Sequence, residues 1–169
     1  MAELQKKVCV LGAFAVGKTS LVGQFVHHKF SDKYLTTMGV KVDRKVLDID
    51  GQGLRMLLWD LAGEDDAHQV RPSYLKGMSG YLLVADSTRK ATLDVALSLR
   101  DRITESFGAL PYSLLINKVD LSSDWELERE RLADMEGRGV TVVHTSARTG
   151  VGVDEAFQSL GRSLLKETR

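Results

Sequence analysis

A chain of 169 residues with 43% hydrophobic and 27% charged positions has the composition of a folded globular domain, which excludes disordered and fibrous classes. Lys plus Arg and Asp plus Glu both number 23, so no net field directs the protein to nucleic acid or to an anionic membrane. No run reaches the length of a membrane span, and nothing before Gly12 resembles a secretory leader.

Apolar clusters alternate with helix-period segments along the chain, the pattern of an α/β sheet covered by helices on both faces. Lys6 to Leu11 reads as the first strand. It carries the single cysteine, Cys9, as an inert core residue, consistent with a reducing, cytoplasmic setting. A glycine-rich turn follows, and then a helix with Leu21, Val22, Phe25 and Val26 on one side. After a polar stretch from His27 to Gly39, two strands near Val40–Asp50 and Leu54–Asp60 flank Asp50-Gly51, which predicts an antiparallel hairpin. Leu61 to Gly77 is polar and interrupted by Pro72, and Tyr81–Ala85 is a buried strand. Lys90 to Phe107 predicts a helix with Leu93, Ala96, Leu97, Ile103 and Phe107 inward. Tyr112–Ile116 is the next strand, and Ser123-Asp124-Trp125-Glu126 predicts the capping box of a helix ending before Gly137. Val140–His144 is the last strand. A closing helix from Val153 to about Lys166 turns Val153, Ala156, Phe157, Leu160 and Leu164 inward, with Asp154 and Glu155 at its start matching its dipole.

The turn after the first strand, Gly12-Ala13-Phe14-Ala15-Val16-Gly17-Lys18-Thr19, has the spacing G-x-x-x-x-G-K-[ST] of a phosphate-binding loop. Its glycines let successive N–H groups surround a polyphosphate, and the helix opening at Ser20 adds its positive dipole end. Lys18 then reaches the β- and γ-phosphate oxygens, and the Thr19 hydroxyl ligates Mg²⁺. In an open α/β sheet ligands gather at the carboxyl ends of strands, so the segments after other strands matter as well. Asp60-Leu61-Ala62-Gly63 offers a carboxylate for Mg²⁺ through water and a glycine N–H for a γ-phosphate; alone it reads equally well as a tight turn. In Asn117-Lys118-Val119-Asp120 a carboxylate can accept from both the N1–H and the 2-amino group of guanine. Asn117 can tie this loop to the phosphate loop, and the Lys118 stem can lie along the base. Thr145-Ser146-Ala147-Arg148 can turn backbone N–H groups toward guanine O6.

In this order, each at a strand end, these residues resemble the Ras-superfamily small GTPases, and within them the Rab and Rho branches, over nearly the whole length. The resemblance implies one P-loop NTPase G domain over 1–169: a six-stranded, mostly parallel sheet with one antiparallel edge strand and about five flanking helices. It implies a guanine-nucleotide switch that binds GTP or GDP with Mg²⁺ and hydrolyses GTP. The implied nucleotide site comprises Gly12, Ala15, Val16, Gly17, Lys18, Thr19, Ser20, Phe30, Tyr34, Thr37, Gly63, Asn117, Lys118, Asp120, Ser146, Ala147 and Arg148. Thr19, Thr37 and Asp60 are the implied metal ligands, and Lys18, Thr37, Gly63 and Glu64 the implied catalytic set. Phe30 would pack against the guanine edge and Tyr34 close over the phosphates. Protein effectors and regulators would read regions 30–42 and 60–77; Val42, Trp59 and Tyr74 read either as core packing or as a partner patch that changes with nucleotide.

The chain departs from that family at three places. Glu64 stands where the family usually has a glutamine that positions the attacking water. Phe14 replaces a small residue and can fill the space through which an activator's arginine enters, which together with Glu64 implies slow turnover. No cysteine for a lipidated tail occurs among the last residues, so the expectation is no direct membrane anchor in this chain. Two rivals stand beside the switch: a GTP-dependent binding module or scaffold domain with negligible hydrolysis, and an ATP-using phosphotransferase, against which Asn117–Asp120 argues. His27-His28 reads as a surface helix end, because adjacent helix positions diverge by about 100° and do not converge on one ion. His68 reads as surface or switch packing, His144 as a packed residue, and Glu126–Arg131 as a solvated helix face.

Overall fold

The computed structural model describes residues 3–31, 39–64 and 69–168. Six strands form one sheet: β1 Leu4–Gly12, β2 Val40–Ile49, β3 Gln52–Leu61, β4 Gly80–Asp86, β5 Tyr112–Asn117 and β6 Val142–His144. Their order is β2-β3-β1-β4-β5-β6, parallel throughout except for the antiparallel pairing of β2 with β3. Asp50 and Gly51 both adopt positive φ, 51° and 87°, which is what the two-residue turn of this hairpin requires. The sheet grows outward from β1, with β3 on one side and β4 on the other, so the strand order reverses at the carboxyl end of β1. That crevice is where α/β sheets hold ligands.

Helices α1 Lys18–His27 and α5 Val153–Thr168 contribute to one apolar cluster, and α3 Ala91–Phe107 and α4 Arg129–Gly137 to a second, which also takes Leu75 from the four-residue α2, Pro72–Leu75. Side chains alternating along the buried strands feed both cores: Val8 and Val10 point to the first, Cys9 and Leu11 to the second. All five inward positions expected of the closing helix are buried, and Phe157 stacks on Phe25 of α1 with ring centroids 3.8 Å apart and planes 5° from parallel. Along α3 the buried face is Thr92, Leu93, Ala96, Leu99 and Ile103, while Leu97 and Phe107 are only partly covered. Among the described residues, no helix is long and apolar enough to cross a membrane.

The expected capping box at Ser123–Glu126 does not form. Residues Val119–Asp124 make a 3₁₀ segment, the chain is extended at Trp125, and α4 starts at Arg129 and runs through Gly137. Tertiary bonds take the groups a cap would use: Glu126 Oε1 accepts from Lys90 N at 3.1 Å, and Glu126 N donates to Ser87 O at 2.8 Å. Leu127 is buried between them and the helix, so Glu126–Arg131 is not one solvated helix face. Strand β6 begins two residues later than expected. His144 at its end is exposed, with its ring stacked on Trp125 at 5.6 Å.

Candidate nucleotide site

The helix that follows β1 opens without a side-chain cap and without an acidic residue in its first turn, so its positive dipole end suits an anionic partner. Gly17 at the cap has φ 102°, and a Cβ there would overlap Asn117 Nδ2; only glycine fits both the dihedral and the approach. Ala15 also takes a left-handed conformation, φ 65°, which turns the loop inward. Val16 buries its side chain in the core and offers the site only its backbone.

Three successive carbonyls of this loop are met by three side chains from elsewhere in the chain. Asn117 Nδ2 donates to Val16 O at 2.9 Å, Lys118 Nζ to Ala15 O at 3.0 Å, and an Arg89 terminal nitrogen to Phe14 O at 2.9 Å. Asn117 is thus the tie expected between the base-side loop and the phosphate loop. Its own Oδ1 accepts from Thr145 Oγ1 and from Ala147 N, at 3.1 and 3.3 Å, which fixes the turn after β6. Ser146 Oγ donates to Asp120 Oδ1 at 2.8 Å, so the carboxylate and the Ser146–Ala147 backbone lie at one edge of the crevice. Arg148 is exposed beside them.

At the phosphate side Lys18 is buried, its ammonium donating to Ala13 O at 3.2 Å and Gly12 O at 3.5 Å. Burial pushes its pKa down to about 8, while the Asp60 carboxylate pulls it up. Thr19 Oγ1 donates to Asp60 Oδ2 at 2.6 Å, and Asp60 is fully buried at the end of β3. This hydroxyl and carboxylate present hard oxygen donors, which suit Mg²⁺. Among the described residues no group of three His, Cys, Asp or Glu side chains converges, and two protein oxygens completed by phosphates and water is the coordination Mg²⁺ favours.

Gly63 lies against the phosphate loop, where a Cβ would stand 2.6 Å from Phe14 Cα. Glu64 N donates to Gly12 O at 3.1 Å and Phe14 N to Glu64 O at 2.9 Å, a short bridge between the turn and the loop. Glu64 is 8% exposed, and each of its carboxylate oxygens is bonded elsewhere. Oε2 pairs with the guanidinium of Arg102 on α3 at 2.5 Å, and Oε1 accepts from Val70 N at 2.9 Å. Phe14 is 43% exposed at the mouth of the site, and Phe30, beyond the end of α1, is 40% exposed. Tyr34, Thr37 and His68 lie outside the described residues. Val42 and Trp59 are cross-strand partners; Trp59 carries Lys7 Nζ 3.7 Å from its ring centroid, and Trp59 and Tyr74 each pack, partly buried, against the apolar cluster on the α3 side of the sheet.

Three residues of this region escape a motif reading: Asp86, Arg89 and Arg102. For Asp86 a signal existed, since it ends β4 much as Asp60 stands one residue before the end of β3. Arg89 and Arg102 act across 75 and 38 residues, and nothing in their local spacing marks them.

Fold and site together define a P-loop nucleotide-binding domain whose base-side loops carry the N-K-x-D and S-A elements. Residues 7–166 match the family model described as the Ras family, and the chain belongs to that family of small GTPases. It is 32% identical over 162 residues to the bovine Ras-related protein Rab-13, covering 94% of this chain and 79% of that protein. Ras-related protein Rab-32C of Dictyostelium discoideum is 34% identical over 164 residues, covering 95% and 73% respectively. The protein of Schizosaccharomyces pombe named GTP-binding protein ypt2 is 30% identical over 165 residues, covering 95% and 82%. The chain is accordingly a Rab-like GTPase switch.

Proposed function

We propose that this GTPase binds GTP and GDP with Mg²⁺ through the residues assembled at the carboxyl end of the sheet, and that it turns GTP over slowly. Lys18, held in a dry setting, supplies charge to the β- and γ-phosphates as the bond to the leaving phosphate breaks. Thr19 and Thr37 ligate the metal, and Asp60 holds it through water; bound there, Mg²⁺ neutralises charge on the phosphate oxygens. Gly63 offers its N–H to the γ-phosphate, Asp120 reads guanine N1–H and the 2-amino group, and Ser146–Arg148 reads O6. Loss of the γ-phosphate releases the segments of Thr37 and Gly63, and with them a partner surface around Val42, Trp59 and Tyr74. The buried thiol of Cys9 supports a reducing, cytoplasmic setting.

Slow turnover is supported by one observation above the others: the Glu64 carboxylate is committed to Arg102 and Val70 N–H. That arrangement turns it toward α3 and Val70 and opposes its use to orient a water, and freed from it, the carboxylate meets the repulsion of an anionic γ-phosphate. Phe14 adds to this by standing where an activator's arginine would enter. The same commitment of Glu64 favours a second reading, a GTP-dependent binding module with negligible hydrolysis. Identification of the copurified nucleotide, followed by single-turnover GTP hydrolysis in wild type, Phe14→Gly and Glu64→Gln, separates the two. Slow wild-type hydrolysis accelerated by either substitution supports the switch; persistent bound GTP in all three supports the module; and fast wild-type hydrolysis unchanged by both removes the slow-turnover claim.

A further inference from the structure

A phosphate loop works only if its N–H groups converge, which forces its carbonyls outward, where each needs a donor. Two of the three donors that meet them here, Arg89 and Lys118, are held by one side chain. Asp86 is 1% exposed at the end of β4, and its Oδ2 lies 3.0 Å from Arg89 Nε and 3.0 Å from Lys118 Nζ. Its Oδ1 accepts from Thr88 N at 2.8 Å and Thr88 Oγ1 at 2.7 Å. Burial opposes the charged carboxylate, yet the bonds from Thr88, Lys118 and Arg89 outweigh it and hold Asp86 below the usual carboxylate range. Asp86 is therefore a fixed anion with both oxygens occupied. Arg89 needs its planar fork to serve two acceptors together, Nε on Asp86 and a terminal nitrogen on Phe14 O.

Resting on the reading that Gly12–Thr19 cradles the phosphates, we propose that Asp86 and Arg89 form a clamp that sets the curvature of the phosphate loop, with Arg89 a positioning residue for retention of the β-phosphate. The clamp acts at the Phe14 end of the loop, whereas Asn117 acts at the Val16 end next to the base-side turn. Arg89 itself bonds Asp86 and Phe14 O, and Asp86 keeps Lys118 and Thr88 as partners when Arg89 is lost, so its loss loosens phosphate binding more than base reading.

The split between GDP and GMP tests this, because GMP lacks the β-phosphate and depends chiefly on the base-side contacts. Affinities of both are measured by competition on wild-type protein, Arg89→Ala and Arg89→Lys, together with the GDP dissociation rate. Arg89→Ala is expected to weaken GDP about tenfold, in line with loss of a partly exposed charge-assisted hydrogen bond, and to speed its release by a similar factor. GMP affinity stays within about twofold, and Arg89→Lys, which keeps the charge but not the fork, recovers part of the loss. Equal loss of GDP and GMP, or no change in either, overturns the clamp. Wild-type protein that binds no GDP overturns the phosphate-loop reading itself, and the clamp with it.

Discussion

The two ends of the nucleotide crevice are built differently. At the base end, Asn117 donates to Val16 O and accepts from Thr145 and Ala147, and Ser146 donates to Asp120, so one asparagine and one serine join three loops. At the γ-phosphate end the positioned groups are bound to the protein's own atoms: Lys18 to two loop carbonyls, Glu64 to Arg102 and Val70, and the Gly63–Glu64 turn to Gly12 and Phe14. The base end is thus bonded loop to loop, whereas the groups at the other end are bonded to the phosphate loop itself and to α3. In a switch read by the third phosphate, the end that meets that phosphate is the one expected to respond, while base reading serves either nucleotide.

The largest effect is expected from breaking the base end. Asp120→Ala should lower the preference for guanine over adenine nucleotides by about a thousandfold or more, since a site built to accept two base donors loses both, and GDP against ADP competition reads this directly. Next comes the close approach of the turn to the loop. The side chain of Gly63→Ala would need to stand 2.8 Å from Phe14 N and 2.6 Å from Phe14 Cα, so the turn must lift away. GTP hydrolysis should fall by about tenfold or more while GDP affinity changes little, in keeping with loss of one preorganised donor. Hydrolysis that survives Gly63→Ala would mean that the turn carries no γ-phosphate contact.

A smaller effect is expected at the ion pair. Arg102→Ala leaves Glu64 with Val70 N–H as its remaining bond of those described above, and because the arginine is partly exposed the loss should be about 1 kcal/mol, or a fall in Tm of ~2–4 °C. Glu64→Gln should cost less, because the amide can still accept from Val70 N. Equal Tm values for wild type and Arg102→Ala would show that the pair contributes nothing to holding the turn.

The last effect lies in the core and is absent at neutral pH. Burial pushes the Cys9 thiol from its ordinary 9.0 up to about 12, against a weaker opposite pull from Lys7. Below pH 9 both folded and unfolded thiols are protonated and Cys9 contributes no pH dependence. Between pH 9 and about 12 the unfolded chain loses the proton that the native one keeps, so stability falls as pH rises. Cys9→Ala should flatten this part of the stability profile, and native protein at pH 8 should react with a thiol reagent only after unfolding.

Much of this asymmetry was legible in the chain, and what was hidden has a common cause. The phosphate loop, the hairpin turn at Asp50-Gly51 and the inward face of α5 follow from spacing and dihedral preference, which act over a few residues. Asn117 was also foreseeable, because the carboxyl end of a strand is where this sheet gathers its ligand groups. Ser123–Glu126 has the residues of a helix cap, yet Glu126 is bonded to Lys90 and Ser87 near the start of α3. The pairing of Glu64 with Arg102 and of Arg89 with Phe14 O likewise depends on how α3 and the turn before it lie over β1 and β3. Local pattern can propose a capping residue or an exposed arginine, but only packing decides which acceptor lies within reach.

Gly161 of α5 faces Ile49 Cδ1 and Leu54 Cδ2, at 3.1 and 3.3 Å from where its Cβ would be, so the helix lies flush on the turn end of the β2–β3 hairpin. Leu47 and Ile49 are buried there, whereas Lys41, on the same face of β2 at the crevice end, is exposed. The hairpin is therefore fastened at its far end, where α5 covers it. A displacement that begins beside Gly39 is expected to weaken toward Asp50, so that the turn at the opposite end of the hairpin keeps its place.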